Sequence, residues 1–167
     1  KNNLDGISYE IIVVDSNSKD GIGDFLKKKY PQVIFLQSNK NLGMGGGNNF
    51  GINASKGEFV LILNPDTLVA GNSIRLLYNF AKSDPKIGIV GPKLLNSDGT
   101  LQYSCLRFPR LLTPIFRRTF FGKFAKKYLD EFLMKEFDHN SVMDVDWMLG
   151  SCLMIRSKIL KEITGGF

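Results

Sequence analysis

Residues Phe59 to Asp66 read FVLILNPD, an apolar run that stops abruptly at Asn64-Pro65-Asp66. A short unbroken apolar run predicts a strand buried on both faces, and such strands belong to parallel sheets covered by helices. Pro65 has a fixed φ and no N–H to donate, so the chain must leave the ladder there. Open α/β sheets bind ligands beyond the carboxyl ends of their strands. Asp66 is thus placed to hold a divalent cation against a diphosphate, because Mg²⁺ takes one or two carboxylates together with phosphate oxygens. A strand that simply ends in a turn is the other reading of the same residues.

The neighbouring segments repeat the theme. Tyr9 to Asp15 reads YEIIVVD, again an apolar strand closed by an acid, and Ser16-Asn17-Ser18-Lys19-Asp20-Gly21 follows as a polar turn. Between the two strands, Asn39 to Gly51 reads NKNLGMGGGNNFG, with five glycines in the nine positions from Gly43 to Gly51. Glycine permits close backbone approach and unusual dihedrals. A glycine loop that opens a helix at Ile52-Asn53-Ala54 would aim free amides and the helix dipole at an anion. No Gly-Lys-Ser/Thr follows, and Gly43-Met44-Gly45-Gly46-Gly47-Asn48 does not complete a dinucleotide fingerprint. A flexible linker and a ligand site both stay open for this stretch.

Strands near 9–14, 33–36, 59–63, 88–91 and 145–155 alternate with helices near 21–30, 48–55, 71–83, 121–135 and 157–163. That alternation predicts the α/β class. Ile74, Leu77, Tyr78 and Ala81 form one helical face, and Asp84-Pro85 ends that helix.

The ordered set VVDSNSKDG (13–21), NKNLGMGGGNNFGINASKGEFVLILNPDT (39–67), IGIVGPKLLNSDGTLQ (87–102), FP (108–109) and DWMLGSCLMIRSKILKEITGGF (146–167) resembles a family 2 glycosyltransferase. The likeness is nearest to the rhamnosyltransferase-like branch. It implies the GT-A fold of nucleotide-diphospho-sugar transferases, a Rossmann-like and mostly parallel sheet flanked by helices. It also implies one catalytic domain over residues 1–167, truncated at both ends. The implied activity is inverting transfer of a sugar from a UDP-, dTDP- or GDP-linked donor to a glycan or lipid-linked acceptor.

The resemblance assigns residues as follows. Asp15 contacts the base or ribose, and Ser16, Asn17, Asn41, Gly43, Gly47, Asn48 and Asn49 help to shape the donor site. Asn64 and Asp66 match the Asp-x-Asp motif for metal and diphosphate. Asparagine in its first place leaves Asp66 as the one carboxylate ligand for Mg²⁺ or Mn²⁺. Asp146, Trp147 and Gly150 lie on the acceptor side. Asp144 and Asp146 are weighed as bases and read as structural, because acids at a strand edge before a Trp more often are, and the family's general base is expected beyond Phe167. The chain by itself is therefore expected to be an inactive internal fragment. The family's first strand is also expected to be missing, which leaves either a gap or a non-native pairing between the strands at 9–14 and 59–63. A sugar-nucleotide nucleotidyltransferase is the rival within the fold, though its glycine-rich Arg/Lys loop after a first strand is not seen. A non-catalytic nucleotide-sugar or membrane-binding module is the rival from another class.

The net charge of +6 is concentrated between Arg107 and Lys127, which carry seven basic residues and no acid. Phe108, Leu111, Leu112, Ile115, Phe116, Phe120, Phe121 and Phe124 are interleaved with them, and Phe121, Phe124, Ala125, Tyr128, Leu129 and Phe132 keep helical spacing. Three readings stand for 107–127: an amphipathic helix packed on the sheet, a segment lying on an anionic membrane, and a nucleic-acid surface. No recognised nucleic-acid motif accompanies it, so no nucleic-acid partner is expected. No apolar run reaches the roughly 18 residues that span a bilayer. Cys152 sits in an apolar stretch and reads as a buried free thiol, and lone His139 has no zinc spacing with the cysteines. A cytoplasmic protein is expected, peripheral on the inner face of the membrane in the lipid-acceptor reading.

Overall fold

The computed structural model describes residues 4, 6–118 and 125–162. The chain forms two compact units, one from Lys1–Val90 with Leu153–Phe167 and the other from Gly91–Cys152.

The first unit starts with β1 (Ile12–Asp15), α1 (Ile22–Lys29) and β2 (Ile34–Gln37). β1 and β2 pair in parallel, with Ile12 opposite Ile34 and Asp15 opposite Gln37. Then come α2 (Gly43–Ala54), β3 (Phe59–Leu63), α3 (Ser73–Ser83) and β4 (Ile89–Val90). A second sheet has the order β3-β9-β4, and its middle strand β9 (Cys152–Arg156) returns from far along the chain. β4 runs antiparallel to β9, with Ile89 opposite Ile155. Four of the five β9 residues are buried, as its apolar sequence CLMIR requires. Helix α6 (Ser157–Glu162) follows directly. The α/β class holds, and β1 and β3 lie in separate sheets.

The expected face of α3 is inward: Leu77 and Ala81 are buried, and Tyr78 packs edge-on against Phe59 at 5.7 Å. Arg156 ties this helix to the sheet. Its Nη2 donates to the Ala81 carbonyl at 2.8 Å, its Nη1 reaches Glu58 at 3.3 Å, and its guanidinium lies 4.7 Å over the Phe59 ring. The last carbonyls of a helix lack partners inside it, and this arginine supplies one.

Helix α2 corrects the reading of the glycine stretch, because it begins at Gly43 and absorbs all five glycines instead of beginning at 48. Gly43 has φ +66°, a conformation that costs glycine little, and Asn41 Oδ1 accepts its N–H at 2.8 Å. Gly47 and Gly51 then face β1. A Cβ on Gly51 would stand 3.2 Å from Val14 Cγ2, and one on Gly47 3.5 Å from Ser16 Oγ. These glycines let a helix lie close on a strand, so the feature is packing and not a loose loop.

In the second unit, β5 (Leu94–Leu95) and β6 (Leu101–Gln102) form an antiparallel hairpin. Asp98 closes its turn by accepting from the Thr100 N–H at 2.9 Å and the Thr100 hydroxyl at 2.6 Å. β7 (Cys105–Leu106) pairs antiparallel with β8 (Trp147–Met148). The strand expected at 145–155 is therefore two strands, β8 and β9, separated by a turn. Helix α4 (Thr113–Arg118) was not anticipated; Pro114 sits in its first turn, where its missing N–H costs nothing. The helix expected at 121–135 is α5 (Lys126–Phe132), and residues 121–124 lie outside the described residues. Both cysteines are free, and burial pushes their thiols up.

Candidate donor site

Asp15 closes β1 and is 8% exposed. Its Oδ1 accepts the backbone N–H of Ser18 at 3.0 Å, and its Oδ2 accepts Gln37 Nε2 at 2.7 Å. The backbone N–H and hydroxyl of Ser18, and then Gln37, hold the carboxyl below its ordinary value of 3.8. The turn achieves this by taking Asn17 to φ 68° and Lys19 to φ 59°, which brings the Ser18 N–H back onto the strand end. The parallel register sets Gln37 opposite Asp15, and Ser16 meets Gly47 of α2. The structure thus brings Asp15, Ser16 and Gly47 together and adds Gln37.

Gln37 was missed in the sequence. Its only signal is a polar residue closing the run VIFLQ, and its role depends on a strand register that no local pattern states. Asn41 serves the start of α2, as described. Asn48 and Asn49 are half-buried on that helix. Asn49 lines an open cleft of about 570 Å³ with Gln37, Lys40, Phe50 and Asn53.

At the end of β3, Asn64 is half-buried and Asp66 exposed. The Thr67 N–H donates to the Asn64 carbonyl at 3.1 Å, which closes the turn without using the Asp66 side chain. Asp66 has no hydrogen-bond or ion-pair partner among the described residues. Nor do those residues contain a cluster of three or more His, Cys, Asp or Glu that would cage a metal. One free carboxylate suits a hard cation that completes its shell with water and phosphate oxygens.

The remaining residues belong to the second unit. Asp146 Oδ2 accepts the Phe108 N–H at 3.1 Å. Trp147 is exposed on β8, opposite Leu106, and Gly150 lies in the turn that follows.

The family model described as Glycosyl transferase family 2 matches residues 1–163. The chain belongs to that family. Among curated relatives, this family 2 chain is 29% identical over 94% of its length to an N-acetylglucosaminyl-diphospho-decaprenol L-rhamnosyltransferase of Mycobacterium tuberculosis, covering 54% of that protein. It is 31% identical over 92% of its length to the low-salt glycan biosynthesis hexosyltransferase Agl10 of Haloferax volcanii, covering 46% of that one. The chain therefore spans about half the length of these relatives.

Among solved structures, it resembles the mannosyltransferase PcManGT of Pyrobaculum calidifontis, determined with GDP-Man and Mn²⁺, at TM-score 0.56 and 20% identity. That match covers 95% of this chain and 38% of the other. HddC of Yersinia pseudotuberculosis matches at TM-score 0.50 and 18% identity, over 96% of this chain and 61% of that one. The fold of this family 2 chain is GT-A.

Proposed function

We propose that the protein moves a sugar from a nucleoside-diphosphate donor to a glycan or lipid-linked acceptor, with inversion at the anomeric carbon. The observation that carries this reading is the Asp15 carboxylate, charged and fixed at a strand end beside a close-packed helix. Both of its oxygens are oriented by protein donors and keep further lone pairs for ligand O–H or N–H groups, which suits a ribose or a base. The names of the relatives support sugar transfer and, for the mycobacterial protein, a diphospho-decaprenol acceptor.

In this reading Asp15 anchors the nucleoside while Ser16, Asn17, Asn41, Gly43, Gly47, Asn48 and Asn49 shape its surroundings. Asn64 and Asp66 receive the diphosphate end, with Asp66 as the protein ligand of Mg²⁺ or Mn²⁺. When bound, such a cation neutralises the charge that develops on the departing nucleoside diphosphate. Asp146, Trp147 and Gly150 stand on the acceptor side, where Trp147 offers a flat apolar wall to a sugar ring or lipid. The two compact units serve one catalytic domain, and the protein works at a cytoplasmic membrane face.

Calorimetry with UDP, dTDP and GDP, each with and without Mn²⁺, tests the donor half. The expected result is one favoured nucleotide whose binding needs the metal and falls in Asp15→Ala and Asp66→Ala. Equal, metal-independent affinity for wild type and both variants would refute it.

A further inference from the structure

The segment around α4 is inside out. Thr113 is 2% exposed, whereas Leu111 is 91% and Phe108 69% exposed, and Leu112 and Ile115 are also open to solvent. Soluble helices bury their leucines and show their threonines. The inversion is held in place from within. Thr113 Oγ1 accepts the Arg110 N–H at 2.9 Å and bonds the Tyr128 hydroxyl at 3.1 Å. Phe116 packs edge-on against Tyr128 with ring centres 5.4 Å apart. The contacts of α4 with α5 include Thr113 and the Phe116 ring, while Leu111, Leu112 and Ile115 stay open to solvent.

The charges divide in a way the sequence alone did not reveal. Arg107 meets Glu136 at 3.4 Å, and Arg110 meets Glu131 at 3.7 Å while lying 5.6 Å over the Tyr128 ring. Those two arginines brace the unit. Arg118, Lys126 and Lys127, on the same two helices, are exposed and have no ion-pair partner among the described residues. Apolar side chains pointing outward beside uncompensated cations complement one kind of surface, an interface with acyl chains below and anionic headgroups above.

We propose that Phe108, Leu111, Leu112 and Ile115 insert into the headgroup region of an anionic bilayer, with Arg118, Lys126 and Lys127 meeting its phosphates. This deepens the reading of a lipid-linked acceptor by naming the face that brings the protein to the lipid. It does not depend on the donor site.

The test is cosedimentation of the full chain with vesicles of phosphatidylcholine alone and with about 30% phosphatidylglycerol, a mixture with a strongly negative surface. Binding is expected only to the anionic vesicles, and it should weaken as salt screens the charges. The double variant Leu111→Glu/Leu112→Glu should bind them more than about tenfold more weakly, with an unchanged circular dichroism spectrum, because both positions are exposed. Absence of wild-type binding at low ionic strength would overturn the proposal. So would binding that depends on salt but not on the two leucines, since that is a basic patch alone. A wild-type dimer dissociated by the double variant would also overturn it, by making a second copy the occupant. Nucleoside-diphosphate binding measured on the same samples separates the two readings. If vesicles fail while nucleotide still binds, only the membrane face falls; if nucleotide fails while vesicles bind, only the donor reading falls.

Discussion

At the end of β1, Asp15 is buried and both its carboxylate oxygens are taken, one by Ser18 and one by Gln37. At the end of β3, Asp66 is exposed and its carboxylate is taken by nothing among the described residues. The two strands have the same grammar, apolar and then acid, and the fold treats their acids in opposite ways. The difference arises in the residues around them. After Asp15 the turn Ser16-Asn17-Ser18 tolerates left-handed backbone and returns an N–H to the carboxylate. Before Asp66, Pro65 has no N–H to give, and the Thr67 N–H closes on the Asn64 carbonyl instead. A carboxylate fixed by donors is a directional acceptor for uncharged groups; a free one is a point charge for a cation.

The contrast breaks most visibly at Asp66. Asp66→Ala should lower metal-dependent nucleoside-diphosphate affinity on the order of a hundredfold, by loss of the protein's metal ligand. Its unfolding free energy should stay within about 0.5 kcal/mol of wild type, as for a surface change. A large loss of stability in urea would show that Asp66 has a structural partner after all.

The next effect probes what stands behind Asp15. Gly51→Leu places a side chain where a Cβ alone lies 3.2 Å from Val14, so α2 must move off β1. A loss of about 1–3 kcal/mol in urea unfolding is expected, with weaker nucleotide binding alongside. Unchanged stability would mean that close packing of α2 does not support the strand end.

Acid titration probes the Asp15 carboxylate directly. The folded state holds the Asp15 carboxyl below 3.8, so its contribution to stability is present above that value and is lost as pH falls through the folded one. Asp15→Asn should therefore flatten the acid side of the stability profile.

Gln37→Ala is the smallest change and the finest test. It removes one hydrogen bond to Asp15 and should weaken nucleoside binding by about fivefold, the worth of one such bond near 1 kcal/mol. Asp15→Ala should leave little for Gln37→Ala to remove, so the double variant should match Asp15→Ala alone. Additive losses would separate the two residues.

Much of the first unit was legible because its signals are local. The apolar runs gave β1 and β3, and the i, i+3, i+4, i+7 face of Ile74, Leu77, Tyr78 and Ala81 gave α3. Glycine misled where its use is tertiary. Five glycines in nine positions read as a loop by propensity, but they form a helix, and at Gly51 that helix comes so near β1 that a Cβ would stand 3.2 Å from Val14 Cγ2. The second unit was harder for the same physical reason. Its strands are two residues long, too short for any period to show. The seven basic residues of 107–127 were plain in the sequence, but Glu131 and Glu136 reach two of them only through the fold.

The central position of β9 has a consequence for how the chain is made. The first unit is nearly all encoded by residue 90, yet the strand between β3 and β4 arrives only at Cys152–Arg156. During synthesis the ribosome must deliver Gly91–Cys152 before that sheet can close. Until then β3 and β4 have unpaired edges, and the Ala81 carbonyl waits for the guanidinium of Arg156. A nascent chain stalled short of Arg156 would be an aggregation-prone intermediate, so the rate of translation through those residues bears on the yield of folded protein.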